Sequence, residues 1–316
     1  MTPLSQNTDD SRTPEQAKQR ILKGMRDLPA LPQVVNEVVG LLNTQQSSSS
    51  QIASLISYDP GLTSRILRMV NSSAYGIPRQ VTSIQHSIAM LGYNAVRGLV
   101  LGASICQVFS IQNQDAKSVG RIYGTRLDIQ EFWQQALTVA FFAKLIADLY
   151  KLPNADDIFS AGMLHNVGIL VLHVQDPSSD KALHLQLKQK KIWRYSSQAI
   201  RLESAVLGFN HIELGKALAE RWQLPDSMQA VIGRYFFPIE EGSPNDAAVF
   251  AVGLAHQLLS AIHIHHDQIL KVSCEDLSPE LADYFSLETD EAVQELCGHI
   301  PFLIEESKEI MASLLD

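Results

Sequence analysis

Apolar residues recur every three to four positions along almost all of this 316-residue chain, and that period is the signature of amphipathic helices. Leu31, Val34, Val35, Val38, Val39 and Leu42 trace one helical face. Pro32 falls at a first-turn position, where its missing N–H has no intrahelical partner to lose. Ser47–Ser50 stops that run and offers N-caps to a second helix carrying Ile52, Leu55 and Ile56. Leu62, Ile66, Leu67 and Val70 restart the pattern after Asp59-Pro60-Gly61. Ser83 introduces Ile84, Ile88 and Leu91, and Gly92 ends them as a C′ glycine would. Trp133, Leu137, Ala140, Phe141 and Leu145 stripe a long helix predicted over 132–150. Further helices are predicted around 156–174, 196–207, 211–222, 227–236 and 246–266, and Ser278-Pro279 opens a tail with two more helical patterns. Runs of alternating hydrophobicity and Asn-Gly or Asp-Gly hairpin signals are absent, so the predicted fold class is all-α.

Hydrophobic residues make up 46% of the chain and charged ones 19%, enough apolar surface to build a core and too much for wholesale disorder. The net charge of −9 argues against a dedicated nucleic-acid partner. That charge is unevenly spread: residues 1–126 hold 12 basic and 7 acidic side chains, while 127–316 hold 13 and 27. A mildly basic half therefore precedes a strongly acidic one. The polar loop 112–126, with Gly120 and Gly124, is the natural boundary. The predicted organisation is a flexible tail over 1–14, an N-terminal helical lobe over 15–126, a second helical lobe over 127–272 and a C-terminal helical extension over 273–316. Cys106, Cys274 and Cys297 are scattered and odd in number, which fits inert thiols in a reducing compartment. A polar N-terminus and the lack of an apolar run of 18 residues lead to the expectation of a cytoplasmic chain without a membrane span.

Two clusters carry polar residues at positions that demand partners. Asp59 can cap the helix that Pro60 starts, and Asn71 and Ser72 stand where that helix must end. Arg65, Arg68 and Arg79 offer a candidate basic face for an anionic partner. In the second cluster His165-Asn166 interrupts the apolar run Ala161–Leu172, an expensive placement unless both side chains are bonded. An aspartate at 166 would make adjacent metal ligands; an amide is a far poorer ligand and no general base. His263, His265, His266 and Asp267 crowd one helix end, which reads best as a solvated C-terminus favourable to imidazoles. The Lys188–Lys191 run with Trp193 and Arg194 reads as a solvated helix end. No GxSxG elbow, P-loop or dinucleotide-binding glycine turn is present.

Taken together, LPALP (28–32), SYDPGLTSRILRMVNSSAYG (57–76), SIQHSIAMLG (83–92), Phe132-Trp133, AGMLHNVGILVL (161–172) and NHIELGKALAERWQLP (210–225) resemble the HDOD family. These modules are a bacterial branch of the HD phosphohydrolases that has lost the metal-binding residues. The resemblance implies two helical lobes, the second HD-like. It places the superfamily's first histidine near Gln135, its His-Asp pair at His165-Asn166 and an additional ligand of some members at His211. The paired histidines fall at about Arg234-Tyr235 and the closing aspartate close to His256. Gln135, His165, Asn166, His211 and His256 are thus expected to be vestiges of a metal site, with no catalytic residue, metal or cofactor implied. The implied function is a non-enzymatic regulatory module acting in trans, through protein contacts or a small ligand in the old cleft. Its implied partners are two-component, chemotaxis or cyclic-di-GMP pathway proteins. The competing expectation is a divergent metal-dependent phosphohydrolase acting on a nucleotide or cyclic dinucleotide.

Overall fold

The computed structural model describes residues 14–24, 37, 49–57, 59–71, 77, 79–92, 96, 99–101, 127–153, 155–236, 245–264 and 269–315. All regular structure among them is helical, in agreement with the all-α expectation. All of the predicted 31–42 helix except Glu37, together with Ser72, the 112–126 loop and His265–Asp267, lies outside the described residues.

The helices run α1 Pro14–Gly24, α2 Ser49–Ser57, α3 Pro60–Val70 and α4 Ile84–Leu91 in the first part of the chain. The second part adds α5 Ile129–Leu149, α6 Ala155–Leu164, α7 Val167–Gln175, α8 Pro177–Lys190, α9 Ser197–Leu207, α10 His211–Arg221 and α11 Asp226–Arg234. After these come α12 Asp246–Ile264, α13 Pro279–Tyr284, α14 Asp290–Cys297 and α15 Ile300–Leu315.

Polar side chains set the boundaries of the first group. Asp59 accepts from the Leu62 amide at 2.9 Å, Pro60 fills the first turn, and Leu62, Ile66, Met69 and Val70 form the buried face of α3. At the other end Asn71 donates to the carbonyls of Leu67 at 2.7 Å and Val81 at 2.8 Å, and its Oδ1 accepts from the Val81 amide at 2.7 Å. One amide therefore closes α3 and fixes the return of the chain towards α4. Ser83 caps α4 through the His86 amide at 3.1 Å, and Gly92 ends it at φ 85°, a conformation costly for residues with a Cβ. Asp59→Ala is expected to cost about 1 kcal/mol, and Asp59→Asn much less because the amide oxygen still accepts. Chemical denaturation of the two variants checks this.

α5 is the hub of the second part, packed by α6, α12 and α15. Sequence periodicity predicts one apolar stripe on it; instead Gln135, Ala136, Thr138, Val139, Phe142, Ala143, Ile146 and Ala147 are also buried. Neighbours on several sides turn an amphipathic helix into a core helix. The helix predicted over 156–174 is in fact two, α6 and α7, broken at His165-Asn166. Glycines bring backbones together around that break. A Cβ on Gly162 would stand 3.0 Å from Ala140 Cα, and one on Gly168 only 1.8 Å from the His211 carbonyl oxygen. The stretch Asp157–Gln175 is apolar enough to cross a membrane by length and composition, with a mean hydropathy of 1.4, but 83% of that window is buried inside the fold. α15 packs on both α5 and α3, so the C-terminal helix joins the two groups of helices.

Candidate functional site

The break between α6 and α7 turns His165 and Asn166 inward, against the start of α10, the end of α11 and the middle of α12. His165, Asn166, His211 and His256 are 0 to 1% exposed, Tyr235 3% and Gln135 6%. Residues from five regions of the chain thus meet in one closed polar chamber.

Asn166 lies at its centre. Its Nδ2 donates to Gln135 Oε1 at 3.0 Å, and its Oδ1 accepts from the Tyr235 hydroxyl at 2.8 Å. His211 Nε2 stands 2.9 Å from that hydroxyl and 3.2 Å from the amide oxygen. On the other side of the ring, His211 Nδ1 donates to Glu203 Oε2 at 2.7 Å. The His211 backbone amide donates to the same oxygen at 2.9 Å. A wholly buried carboxylate on α9 therefore fixes the ring that faces the chamber. Behind it, Arg194 is paired with Asp180, whose other oxygen accepts from His173 Nδ1 at 2.7 Å. Burial opposes the charge on Arg194, but Asp180 and Glu203 outweigh it and raise its pKa.

His165 donates from Nδ1 to the Gly162 carbonyl at 2.6 Å, which leaves Nε2 as a buried lone pair without a hydrogen-bond partner. Its ring packs edge-on against Tyr235 at 4.9 Å and His256 at 5.5 Å between centroids. Both nitrogens of His256 also lack hydrogen-bond partners. Burial drives the His165 pKa down to about 3, with the Gly162 bond opposing and His211 adding to the fall. Burial, then His165 and His211, holds His256 well below its ordinary value. Tyr235 is pushed well above its ordinary value by burial and by Glu203.

The chamber brings together the five residues expected from the resemblance to be vestiges of a metal site, with Tyr235 beside them. Their donor set does not fit an HD-type metal centre. Gln135 and Asn166 present amides bonded to each other, and Glu203 is turned onto His211. Hard divalent cations need carboxylates at such positions. Among the described residues no group of three or more His, Cys, Asp or Glu side chains is arranged to hold a metal ion.

Glu203 is the residue that motif reading misses. It lies three positions after Ile200 and four after Ala199, both buried, and a carboxylate on an apolar helical face is the signal that marks it. The other expected sites lie elsewhere in the fold. Arg68 donates to Ser64 at 2.9 Å and lines an open groove of about 780 Å³ between α3 and α15, which it shares with Glu309. Arg65 is half-buried on α3 and Arg79 stands exposed in the following loop. Arg194, read from sequence with a solvated helix end, is instead committed to Asp180, because the chain folds back after α8. His263 stacks on Trp193 at 4.2 Å. Cys297 is buried, and burial with help from Asp276 pushes its thiol up to about 12, as suits an inert side chain.

The HDOD domain model matches residues 28–235. An uncharacterised protein of Treponema pallidum (strain Nichols) is 24% identical over 204 residues, covering 63% of this chain and 36% of that protein. The match thus spans about a third of that relative's length. Among solved structures, an HDOD domain protein of unknown function from Geobacter sulfurreducens superposes with a TM-score of 0.61 at 22% identity, over 92% of this chain and 98% of the other. A Shewanella amazonensis SB2B protein provisionally named a phosphohydrolase gives 0.66 at 20% identity, over 93% and 98%. A Marinobacter aquaeolei VT8 protein provisionally named for signal transduction gives 0.70 at 20%, over 99% and 68%. At these identities the likeness is one of fold.

Proposed function

From its membership of the HDOD domain family, to which this chain belongs over residues 28–235, we propose that it is a non-enzymatic regulatory module working by protein contact. Its partners are components of a two-component, chemotaxis or cyclic-di-GMP circuit in the cytoplasm. The observation that carries the reading is the chamber itself. The residues that the resemblance marks as vestiges of a metal site, with Tyr235 among them, are amides, a phenol and imidazoles that are bonded or packed to one another and 0 to 6% exposed. Polar groups bonded and packed in this way support a core-specifying role over that of a water-activating metal centre. The same closure favours protein contact over small-ligand sensing at this place.

The experiment is elemental analysis of protein purified without chelators, together with assays on nucleotides and cyclic dinucleotides. Iron, manganese and zinc are expected far below one equivalent, with no turnover. One equivalent of metal that is lost in His165→Ala, accompanied by hydrolysis, would establish a divergent phosphohydrolase instead. Asn166→Asp sharpens the comparison. It restores the acidic member of the pair but leaves Gln135, Tyr235 and His256 in place, so it is expected to gain no stoichiometric metal.

A further inference from the structure

We propose that the acidic ledge at the C-terminal end of α7 and the start of α10 is a docking surface for a cationic amphipathic helix of a partner protein, and that α1 holds this place in cis as a strap. The proposal rests on the reading that the chain works by docking, and it names the surface and the chemistry of the partner.

α1 precedes the residues that match the family model, which begin at 28, and it lies against α7. Lys18 pairs with Glu213 in the first turn of α10. Arg20 Nη2 meets Asp176 Oδ2 at 2.7 Å, at the junction of α7 and α8. Ile21, on the same short stretch, is 1% exposed. The ledge thus recognises two cations separated by one residue and followed by a branched apolar side chain.

Both carboxylates are positioned by their own helices. Glu213 Oε1 accepts from the Asn210 amide at 3.3 Å in the capping box of α10. Asp176 accepts from Ser178 Oγ at 2.7 Å, the Ser179 amide at 3.3 Å and Ser179 Oγ at 2.9 Å. Burial raises the Asp176 pKa, but these bonds and Arg20 outweigh it, so the carboxyl is held below its ordinary value and stays ionised. A preorganised pair of anions does not wait for α1 to form, and any helix with the same spacing meets the same surface.

The strap's own hold is slight. Ile21 is its one fully buried side chain among those described, and Arg20 and Lys18 keep 48% and 26% of their side-chain exposure. The Lys18–Glu213 pair, 26% and 38% exposed, is open to screening by salt, whereas Arg20 meets a carboxylate that is only 3% exposed. Charge favours the exchange as well, because residues 127–316 carry 27 acidic against 13 basic side chains. The ledge also touches the chamber's supports: α7 begins beside Asn166, and α10 begins at His211. A partner on the ledge therefore bears on both helices that frame the chamber.

The test uses the full chain and a fluorescent peptide of residues 11–26 as the cationic helix. The parent is expected to bind the peptide poorly, because α1 competes at high effective concentration. A K18E/R20E chain is expected to bind it about tenfold more tightly, with affinity falling between about 50 and about 500 mM salt. Lys18→Ala with Arg20→Ala, which places no acid opposite Asp176, gives the same gain on a smaller scale and covers the case in which the reversal fails to fold. Adding Glu213→Gln, which keeps the capping box, is expected to abolish the gain. Equal binding by parent and variants, or a gain indifferent to Glu213→Gln, overturns the proposal. Dimers that exchange α1, seen by light scattering, overturn the partner assignment in favour of a second copy. Metal content and turnover report separately on the non-enzymatic reading, so a peptide that fails to bind dismisses the ledge alone.

Discussion

Gly168→Ala is expected to lower stability by about 4 kcal/mol or more, and so to yield a protein that is largely insoluble or melts far below the parent. The added Cβ would stand 1.8 Å from the His211 carbonyl oxygen and 2.6 Å from the Gly215 amide nitrogen. Both are backbone atoms, so no side-chain rotation relieves the contact. α7 and α10 must move apart, which opens the packing around Val167, Ile212 and Leu214 and pulls Asn166 away from His211. Cavity cost then adds to overpacking. Gly61→Ala is the control. Its Cβ would meet Asp59 Oδ1 at 3.4 Å, an ordinary contact at an exposed helix start, so the change is expected to be neutral or mildly stabilising. Thermal melts of the two variants decide the matter, and a Gly168→Ala melt matching the parent would contradict the close crossing.

The second large effect is loss of stability in mild acid. His165 and His256 are buried and neutral, with pKa values of about 3 and well below the ordinary 6.5 respectively. In the unfolded chain both regain ordinary values, so below pH 6.5 the unfolded state binds more protons and stability falls with pH. The contribution is fully present above about 6.5. It is lost progressively as pH falls towards 3, the pKa of folded His165. Each histidine adds a slope of about 1.4 kcal/mol per pH unit, and the pair about 2.7. Between pH 6 and 5 that is a large share of the stability of an ordinary domain. Urea unfolding across this range is expected to show the steep fall. His256→Leu should flatten it by about one proton, the difference from the parent isolating this group from the carboxylates that also titrate. An unchanged slope in His256→Leu would mean that His256 is not buried neutral.

Much of the architecture is legible in the residues because helices announce themselves locally. Asp59, Asn71 and Ser83 act through bonds to backbone groups within a few positions or across one short turn, and Pro60 and Gly92 through their own backbone angles, so their roles follow from spacing. α8 shows how such a signal is passed over. Asp176-Pro177 repeats the Asp-Pro start of α3, yet its apolar stripe is thin, with Asp180, Leu183 and Leu187 buried, so periodicity alone misses it. The break at His165-Asn166 is invisible to periodicity for the opposite reason: the run is apolar throughout, and apolar residues on all sides hide a change of helix axis. The chamber was half legible. The family resemblance singles out Gln135, His165, Asn166, His211 and His256, but Glu203 depends on α9 meeting the start of α10, and the pairing of Arg194 with Asp180 on the chain folding back along α8.

What the residues determine by themselves is local: an all-α chain, the caps that start and stop its helices, and the absence of an aspartate beside His165. What only the tertiary structure decided is which polar groups lose water together. Burial and pairing depend on contacts between helices far apart in sequence, and these contacts bond Gln135, Asn166, His211 and Tyr235 together with His165 and His256 packed beside them. They also turn α1 from a surface helix into a strap across α7 and α10. Hydrogen-bond spacing along a helix is written every few residues. Desolvation is a property of the assembled interior.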